Sequence, residues 1–151
     1  MTKTWGPCTW YLFHTLAEKI NEEHFPALRT ELISIMKQIC SSLPCPDCAG
    51  HATQFMTRLN VNRIQTKNDM KMMLLSFHNQ VNRRVNKPIF NETQLNEKYS
   101  KAKTAEVVKY FVQIWNIPNR NPKMMSNILH KNLIITKFIN WWKKNYTCFT
   151  L

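Results

Sequence analysis

Two cysteines separated by two residues, Cys45 and Cys48, carry the clearest chemistry in this sequence. Pro46 lies between them, where a helix that starts near Cys45 would have its first turn. At a helix N-terminus the two sulfurs can approach bonding distance, and the helix dipole favours a thiolate, which lowers the cysteine pKa. The motif on its own fits three cases: a redox-active disulfide, half of a zinc site, or a chance spacing.

Two alternatives to the redox disulfide need features that the sequence lacks. A zinc site could recruit His51 and Cys40, but a second Cys-x-x-Cys or a His-x-x-x-His at the usual spacing is absent. A thioredoxin-like fold would require strands alternating with helices around the motif, and no convincing strand pattern is found. We therefore expect a redox pair and no bound metal.

Polar residues on two predicted helices form a second group. His78 and Asn82 are four residues apart and share a face with apolar neighbours, as do Trp10 and His14 on the first helix. Any one of them could be an ordinary hydrogen-bonded core residue. Together, and with polar and basic neighbours after His78, they better suit a ligand that has a ring and phosphates. Those neighbours are Asn79, Arg83, Arg84 and Lys87.

Helical periodicity accounts for most of the chain, and proline or capping residues punctuate it. The signals used are Pro7, Pro26, Cys45, Asn68 or Asp69 as the cap of a long helix, Lys87-Pro88, Asn91 and Pro118. A last helix is predicted from about Met124 to Lys144. The simplest architecture is all-α, a four-helix bundle with additional C-terminal helices. We divide the chain into a domain at 1–117 and a basic, aromatic helical extension at 118–151.

Composition excludes several functions. The chain has 151 residues and only two glycines, Gly6 and Gly50, so no glycine-rich nucleotide-binding loop can be written. Neither a signal peptide nor a membrane-spanning stretch is recognisable, so we expect a soluble protein. Five cysteines, an odd number without an export signal, favour redox or metal chemistry over a structural framework.

The net charge of +12 is concentrated at the C-terminal end, where residues 98–151 hold 10 Lys or Arg and 1 Asp or Glu. A nucleic-acid-binding protein led by this segment is an alternative, and it predicts strongly salt-dependent binding. Charge alone does not specify a partner, however, and a solvated basic face explains it equally well. We do not expect nucleic acid to be the partner.

Three stretches in the right order resemble the Erv/ALR sulfhydryl oxidases, especially short members encoded by large DNA viruses. They are Trp5-Gly6-Pro7-Cys8-Thr9-Trp10-Tyr11-Leu12-Phe13-His14, then Leu43-Pro44-Cys45-Pro46-Asp47-Cys48 with His51, then His78-Asn79-Gln80-Val81-Asn82-Arg83-Arg84-Val85-Asn86-Lys87-Pro88. The resemblance covers about residues 5 to 100. It implies a helical bundle that holds FAD noncovalently, with the Cys45–Cys48 disulfide against the flavin ring.

The resemblance also implies which residues contact the cofactor. From the first motif these are Gly6, Thr9, Trp10 and His14; from the later motifs they are His51, His78, Asn79, Val81, Asn82, Arg83 and Lys87, with Lys98 and Tyr99 closing over the cofactor. The family often has an aromatic residue shortly after the first-helix histidine, whereas Glu18, Lys19 and Ile20 stand here.

The implied activity is oxidation of protein dithiols. Substrate would react at Cys45, because the family pattern places Cys48 nearer the flavin, and O2 would take the electrons and become H2O2. A thioredoxin-like carrier is one candidate donor, and a homodimer is expected as in many members. If the source is viral, the host cytoplasm or the virion is the expected location. The roles of Cys8, Cys40 and Cys148 stay open, as does that of the C-terminal extension.

Overall fold

The computed structural model describes residues 5–116 and 128–151, and these residues form seven α-helices. Their bounds are α1 Trp5–Lys19, α2 Phe25–Ser41, α3 Pro46–Arg58, α4 Lys67–Arg84, α5 Glu92–Ser100, α6 Thr104–Trp115 and α7 Ile128–Asn145. The strand-like pairing within these ranges is a single antiparallel bridge between Ile20 and Phe149. The predicted all-α fold is confirmed.

Helix α1 lies at the centre of the fold. It packs against α4, α5 and α6, while α2 packs against α3 and α7. Apolar residues at helical spacing, such as Leu12 and Leu16 of α1 and Leu32 and Met36 of α2, are buried in one continuous core. Burial of such stripes stabilises helices of this length more than intrinsic propensity does. An ion pair between Glu18 and Lys71 (2.6 Å) also links α1 to α4.

The start of α4 corrects one prediction. We predicted the cap at Asn68 or Asp69, whereas the helix begins at Lys67 and its N-cap is Thr66. The Thr66 hydroxyl accepts a hydrogen bond from the Asp69 amide (3.1 Å), and the Asp69 carboxylate accepts one from the Thr66 amide (3.1 Å). Thr66 and Asp69 are therefore the N-cap and N3 residues of a capping box. Hydrogen bonds from the Gln65 and Thr66 amides lower the pKa of its carboxyl group.

A turn of the Schellman type ends α4. The Lys87 amide donates to the Asn82 carbonyl (2.8 Å), and the Asn86 amide donates to the Arg83 carbonyl (3.4 Å). Asn86 has a φ of 58°, in the left-handed region that asparagine tolerates better than most residues. The turn carries the chain away from the helix axis. Val85, at the end of the helix, is 48% exposed.

Helix α7 packs into the same core as the earlier helices. Phe138 contacts Phe111 of α6 edge to face (5.5 Å between centroids), and the Trp141 indole donates to the Glu31 carboxylate of α2 (2.9 Å). The predicted start of this helix, Met124, and the predicted domain boundary both lie outside the described residues. The division of the chain at residue 117 therefore stays a prediction.

Among the described helices, none is long and apolar enough to cross a membrane.

Replacing the observed cap tests the assignment of the α4 start. Thr66→Ala removes the acceptor of the Asp69 amide, so we expect the free energy of unfolding to fall by about 1 kcal/mol. Asn68→Ala, at the cap position first predicted, should change it by less than about 0.5 kcal/mol, as for an ordinary surface substitution. Chemical denaturation of both variants measures the difference, and equal losses would contradict the capping box.

Candidate redox and cofactor site

A cavity of about 440 Å³ opens beside the N-terminal half of α1. Its wall combines aromatic rings, the side chain of Cys48 and several cationic side chains. The lining residues are Trp5, Gly6, Pro7, Thr9, Trp10, Tyr11, Phe13, Cys40, Leu43, Cys48, Ala52, Phe77, His78, Val81, Asn82, Arg84, Val85, Lys87, Lys98 and Tyr99.

Most residues that the sequence assigned to the cofactor line this cavity. They are Gly6, Thr9, Trp10, His78, Val81, Asn82, Lys87, Lys98 and Tyr99. Four others lie off its wall, namely His14, His51, Asn79 and Arg83. The cofactor roles of all these residues, on and off the wall, stay predictions, and the positions of the last four are described below.

Cys45 and Cys48 form a disulfide at the N-terminus of α3, with Cα atoms 5.2 Å apart. Cys45 is the N-cap, and its sulfur accepts a hydrogen bond from the Cys48 amide (3.3 Å). Pro46 occupies the first turn, where a missing amide hydrogen costs nothing. Both cysteines are half-buried, but only Cys48 lines the cavity. The disulfide therefore connects the cavity wall to the capping position of the helix.

His78 joins the cavity wall to a buried histidine behind it. Its Nδ1 lies 2.9 Å from Nε2 of His14, a hydrogen bond in which one ring donates and the other accepts. Trp10 stacks on His78 with ring centroids 4.1 Å apart and planes 4° from parallel. His14 is 2% exposed and stacks on Tyr99 at 4.7 Å. The four rings form one packed assembly between α1, α4 and α5.

This packing keeps both imidazoles neutral. Burial lowers the pKa of His78 to about 4, and the positive charges of Lys98 and Lys87 act in the same direction. Burial lowers the pKa of His14 well below its ordinary value, with further contributions from His78 and Lys98. A neutral pair can share a hydrogen bond, whereas two imidazolium ions would both be donors.

Asn79 holds the loop that follows α4. Its side-chain amide donates to the Phe90 carbonyl (2.8 Å) and its oxygen accepts from the Phe90 amide (3.1 Å). Phe90 is thereby placed with its ring edge on His78 (4.8 Å between centroids). Asn82 acts similarly, since its side chain donates to the Pro88 carbonyl (3.2 Å). These amides shape the cavity mouth through the backbone.

His51 and Arg83 are both exposed. His51 lies on α3 three residues after Cys48, yet off the cavity wall, and Arg84 rather than Arg83 contributes the arginine of the wall.

Sequence reasoning missed several lining residues. Phe77 shares the α4 face with His78 and could have been included on that ground. Tyr11 lies beneath the Lys98 ammonium, 5.6 Å from its ring centroid, and Cys40 reaches the cavity from the end of α2. No local spacing links either residue to the cavity, because the packing of separate helices brings them there.

The remaining thiols lie in two kinds of environment. Cys8 and Cys40 are buried, and burial raises the pKa of each to about 12. Cys148 is half-exposed, and its carbonyl accepts a hydrogen bond from the Asn21 amide (2.8 Å) just past the end of α1. The cavity, by contrast, extends along α1 only from Trp5 to Phe13.

In the ranges that the structure describes, no cluster of three histidine, cysteine or acidic residues is arranged to hold a metal ion.

Comparison with known proteins identifies similar sequences. The profile of the Erv1 / Alr family matches residues 7–100. An FAD-linked sulfhydryl oxidase of African swine fever virus is 30% identical over 115 residues, covering 74% of this chain and 96% of the relative. The FAD-linked sulfhydryl oxidase ERV1 of Oryza sativa subsp. japonica is 33% identical over 98 residues, covering 64% of this chain and 49% of the relative. A relative from Invertebrate iridescent virus 3 is covered over 59% of its length. No solved structure matches the chain.

Acidification tests the neutral histidine pair. The pKa of His78 is lowered in the folded protein, from its ordinary value of 6.5 to about 4. Between these two pH values, the unfolded chain therefore binds more protons at His78 than the folded protein does. Stability from this packing is fully present above about pH 6.5 and is lost as the pH falls toward 4. His78→Gln cannot titrate, so its melting temperature should fall less steeply between pH 7 and 5 than that of the wild type. Parallel curves would contradict the neutral pair.

Proposed function

This chain belongs to the Erv1/Alr family and is an FAD-linked sulfhydryl oxidase; we propose that it oxidises protein dithiols at Cys45, through the Cys45–Cys48 disulfide, with O2 as the final electron acceptor. The single observation that supports this route most strongly is the asymmetry of the pair. Cys48 lines the cavity and Cys45 does not.

The cavity fits FAD in its chemistry. Trp10, Phe77 and Tyr99 offer ring faces or edges to a flat heterocycle. Arg84, Lys87 and Lys98 supply positive charge for a diphosphate, in place of the glycine-rich loop that the sequence lacks.

Gly6 adds a steric argument for the same cavity. It lies in the first turn of α1, and apart from adjacent residues and helix backbone, no atom of the described residues lies within 4 Å of where a Cβ would stand. A side chain there would take up cavity space rather than collide with the fold. Because glycine has no side chain, it leaves this space free for a bulky ligand.

Substrate oxidation at this disulfide follows from thiol–disulfide exchange. A substrate thiolate attacks the Cys45 sulfur, the Cys45–Cys48 bond breaks, and Cys48 leaves as a thiolate on the cavity side. A second substrate thiolate attacks the substrate sulfur of the mixed disulfide, releasing a substrate disulfide and the Cys45 thiolate. FAD supplies the two-electron acceptor that returns the pair to the disulfide and the chemistry that converts O2 to H2O2.

The N-terminus of α3 stabilises the thiolates of both Cys48 and Cys45 when they leave. The Cys48 amide already donates to the Cys45 sulfur, and a charged sulfur would strengthen that hydrogen bond. Cys48 lies in the first turn, where the helix dipole also favours negative charge. Cys8 and Cys40 are poor competitors because thiols with a pKa of about 12 stay protonated at neutral pH.

A thioredoxin-like carrier as the electron donor and a homodimeric assembly are further proposals, which rest on the resemblance to the family. The positions of Cys45 and Cys48, by contrast, support the proposed route of the incoming electrons.

Oxygen consumption tests the activity. The purified protein should be yellow with bound FAD and should take up O2 when given dithiothreitol. Cys45→Ser and Cys48→Ser should each reduce this turnover by at least about 100-fold, because neither variant can form the disulfide. Cys148→Ser is the control and should keep wild-type turnover. A colourless protein that takes up no FAD, or a turnover that survives either active-site substitution, would refute the proposal.

Thiol accessibility tests the direction of electron flow. In a Cys148→Ser background, Cys48→Ser leaves the Cys45 thiol outside the cavity wall, and Cys45→Ser leaves the Cys48 thiol within it. With FAD bound, a bulky maleimide should therefore modify Cys45 faster than Cys48, as followed by mass spectrometry of the modified peptides. Faster modification of Cys48 would reverse the assigned order.

A further inference from the structure

Helix α3 has two different faces. The face toward the core carries Cys48, Ala52, Phe55 and Met56. Cys48 and Ala52 line the cavity, and Phe55 stacks on Phe77 of α4 at 4.2 Å. A second face on the other side of the helix is open to solvent and lines a separate groove of about 420 Å³. Its residues on α3 are Ala49, Gly50, Thr53, Gln54, Thr57 and Arg58, which recur at the spacing of one helical stripe.

This groove begins one helical turn away from the Cys45–Cys48 disulfide. Cys45 precedes Ala49, the first groove residue of α3, by one helical turn, and the Ala49 amide donates to the Cys45 carbonyl (2.8 Å). The opposite wall is Ser41 at the end of α2, whose hydroxyl lies 3.4 Å from the His130 ring of α7. The disulfide thus lies between two spaces, the cavity behind Cys48 and the groove that begins beyond Cys45.

We propose that this groove binds the polypeptide segment that flanks the reacting cysteine of a protein substrate. The inference rests on the proposed function, since it requires attack at Cys45. A peptide thiol must approach that sulfur from outside the cavity, and the groove is a concave surface that starts one turn farther along α3. The small residues Ala49 and Gly50 at its near end admit a main chain, and hydroxyl and amide groups farther along can pair with peptide groups.

Arg58 gives the groove a charge preference. It is exposed at the far end, 13 residues from Cys45, which corresponds to about 20 Å along a helix. An extended peptide covers that distance in about six residues. A substrate with an acidic residue about six positions from its cysteine would therefore place a carboxylate near the guanidinium.

Gly50 provides a selective test of the groove. Within the part of the chain that the structure describes, no atom apart from adjacent residues and helix backbone lies within 4 Å of a Cβ added there, so a larger side chain would project into open groove space. Gly50→Leu and Gly50→Ala both favour the helix, but only leucine fills the groove. With a reduced, unfolded ribonuclease as probe, Gly50→Leu should raise the KM about tenfold. Gly50→Ala should stay near the wild type, and both variants should oxidise dithiothreitol at the wild-type rate.

The outcomes separate docking from chemistry. Equal KM values for ribonuclease in wild type and Gly50→Leu would overturn the docking proposal and leave thiol oxidation intact. A parallel loss with dithiothreitol would also overturn it, because the substitution would then act on the redox centre or the fold. Failure of the wild type to oxidise dithiothreitol would instead refute the proposed function.

A charge exchange tests the end of the groove. Synthetic dithiol peptides would carry either aspartate or lysine six positions to each side of the cysteine pair. The wild type should favour the aspartate peptide by roughly two- to fivefold in kcat/KM, the size expected of an exposed ion pair. Arg58→Glu should reverse that preference, with dithiothreitol turnover unchanged. A preference that is absent in the wild type, or that Arg58→Glu leaves in place, would overturn the assignment of Arg58 to substrate binding.

Discussion

The redox disulfide spans the N-terminus of a single helix, and this placement sets the requirements for the rest of the structure. Helix α3 begins between Cys45 and Cys48 and brings their Cα atoms to 5.2 Å, within the range of a disulfide; Pro46 favours this start because its fixed φ and missing amide suit a first turn. Once the helix begins there, Cys48 turns toward α1 and α4, and Cys45 stays at the cap. The cavity then reaches Cys48, and the groove begins one turn beyond Cys45. The packing of α1, α2 and α4 supplies the cavity, and the open face of α3 supplies the groove.

The cavity itself depends on polar residues that do not touch its interior. His14 lies behind His78 and hydrogen-bonds to it, and Asn79 fixes the Phe90 backbone that flanks it. Buried polar groups require partners. His78 is the partner of His14 Nε2, and the Phe90 backbone is the partner of Asn79. Trp10 and Tyr99 cover the histidines and remove the water that would stabilise a charge. A neutral, stacked wall beside cationic side chains is thus a product of packing between α1, α4 and α5.

Much of this was accessible from the sequence, and what was missed has identifiable causes. Helical spacing and proline positions predicted the helices, because both reflect local backbone geometry. The cap of α4 was misplaced by two or three residues because Thr66, Asn68 and Asp69 are all good capping residues, and only the hydrogen bonds distinguish them. The spacing of His14 and Trp10 marked a shared face but could not show that His14 lies behind His78. Cys40 reached the cavity without any local signal, since its position depends on how α2 packs.

The C-terminal thiol shows how backbone hydrogen bonds constrain an electron route. Besides the Cys148 carbonyl bonded to Asn21, the Thr150 amide donates to the Lys19 carbonyl (2.8 Å), so this segment is attached to the end of α1. From Lys19, the last residue of α1, back to Phe13, the nearest cavity residue of that helix, six residues correspond to about 9 Å. A thiol on a free arm could cross such a distance, but one attached on both sides by main-chain hydrogen bonds would have to break them first. The proposed direct attack of substrate on Cys45 needs no such rearrangement, so it is the route that requires the fewest structural changes.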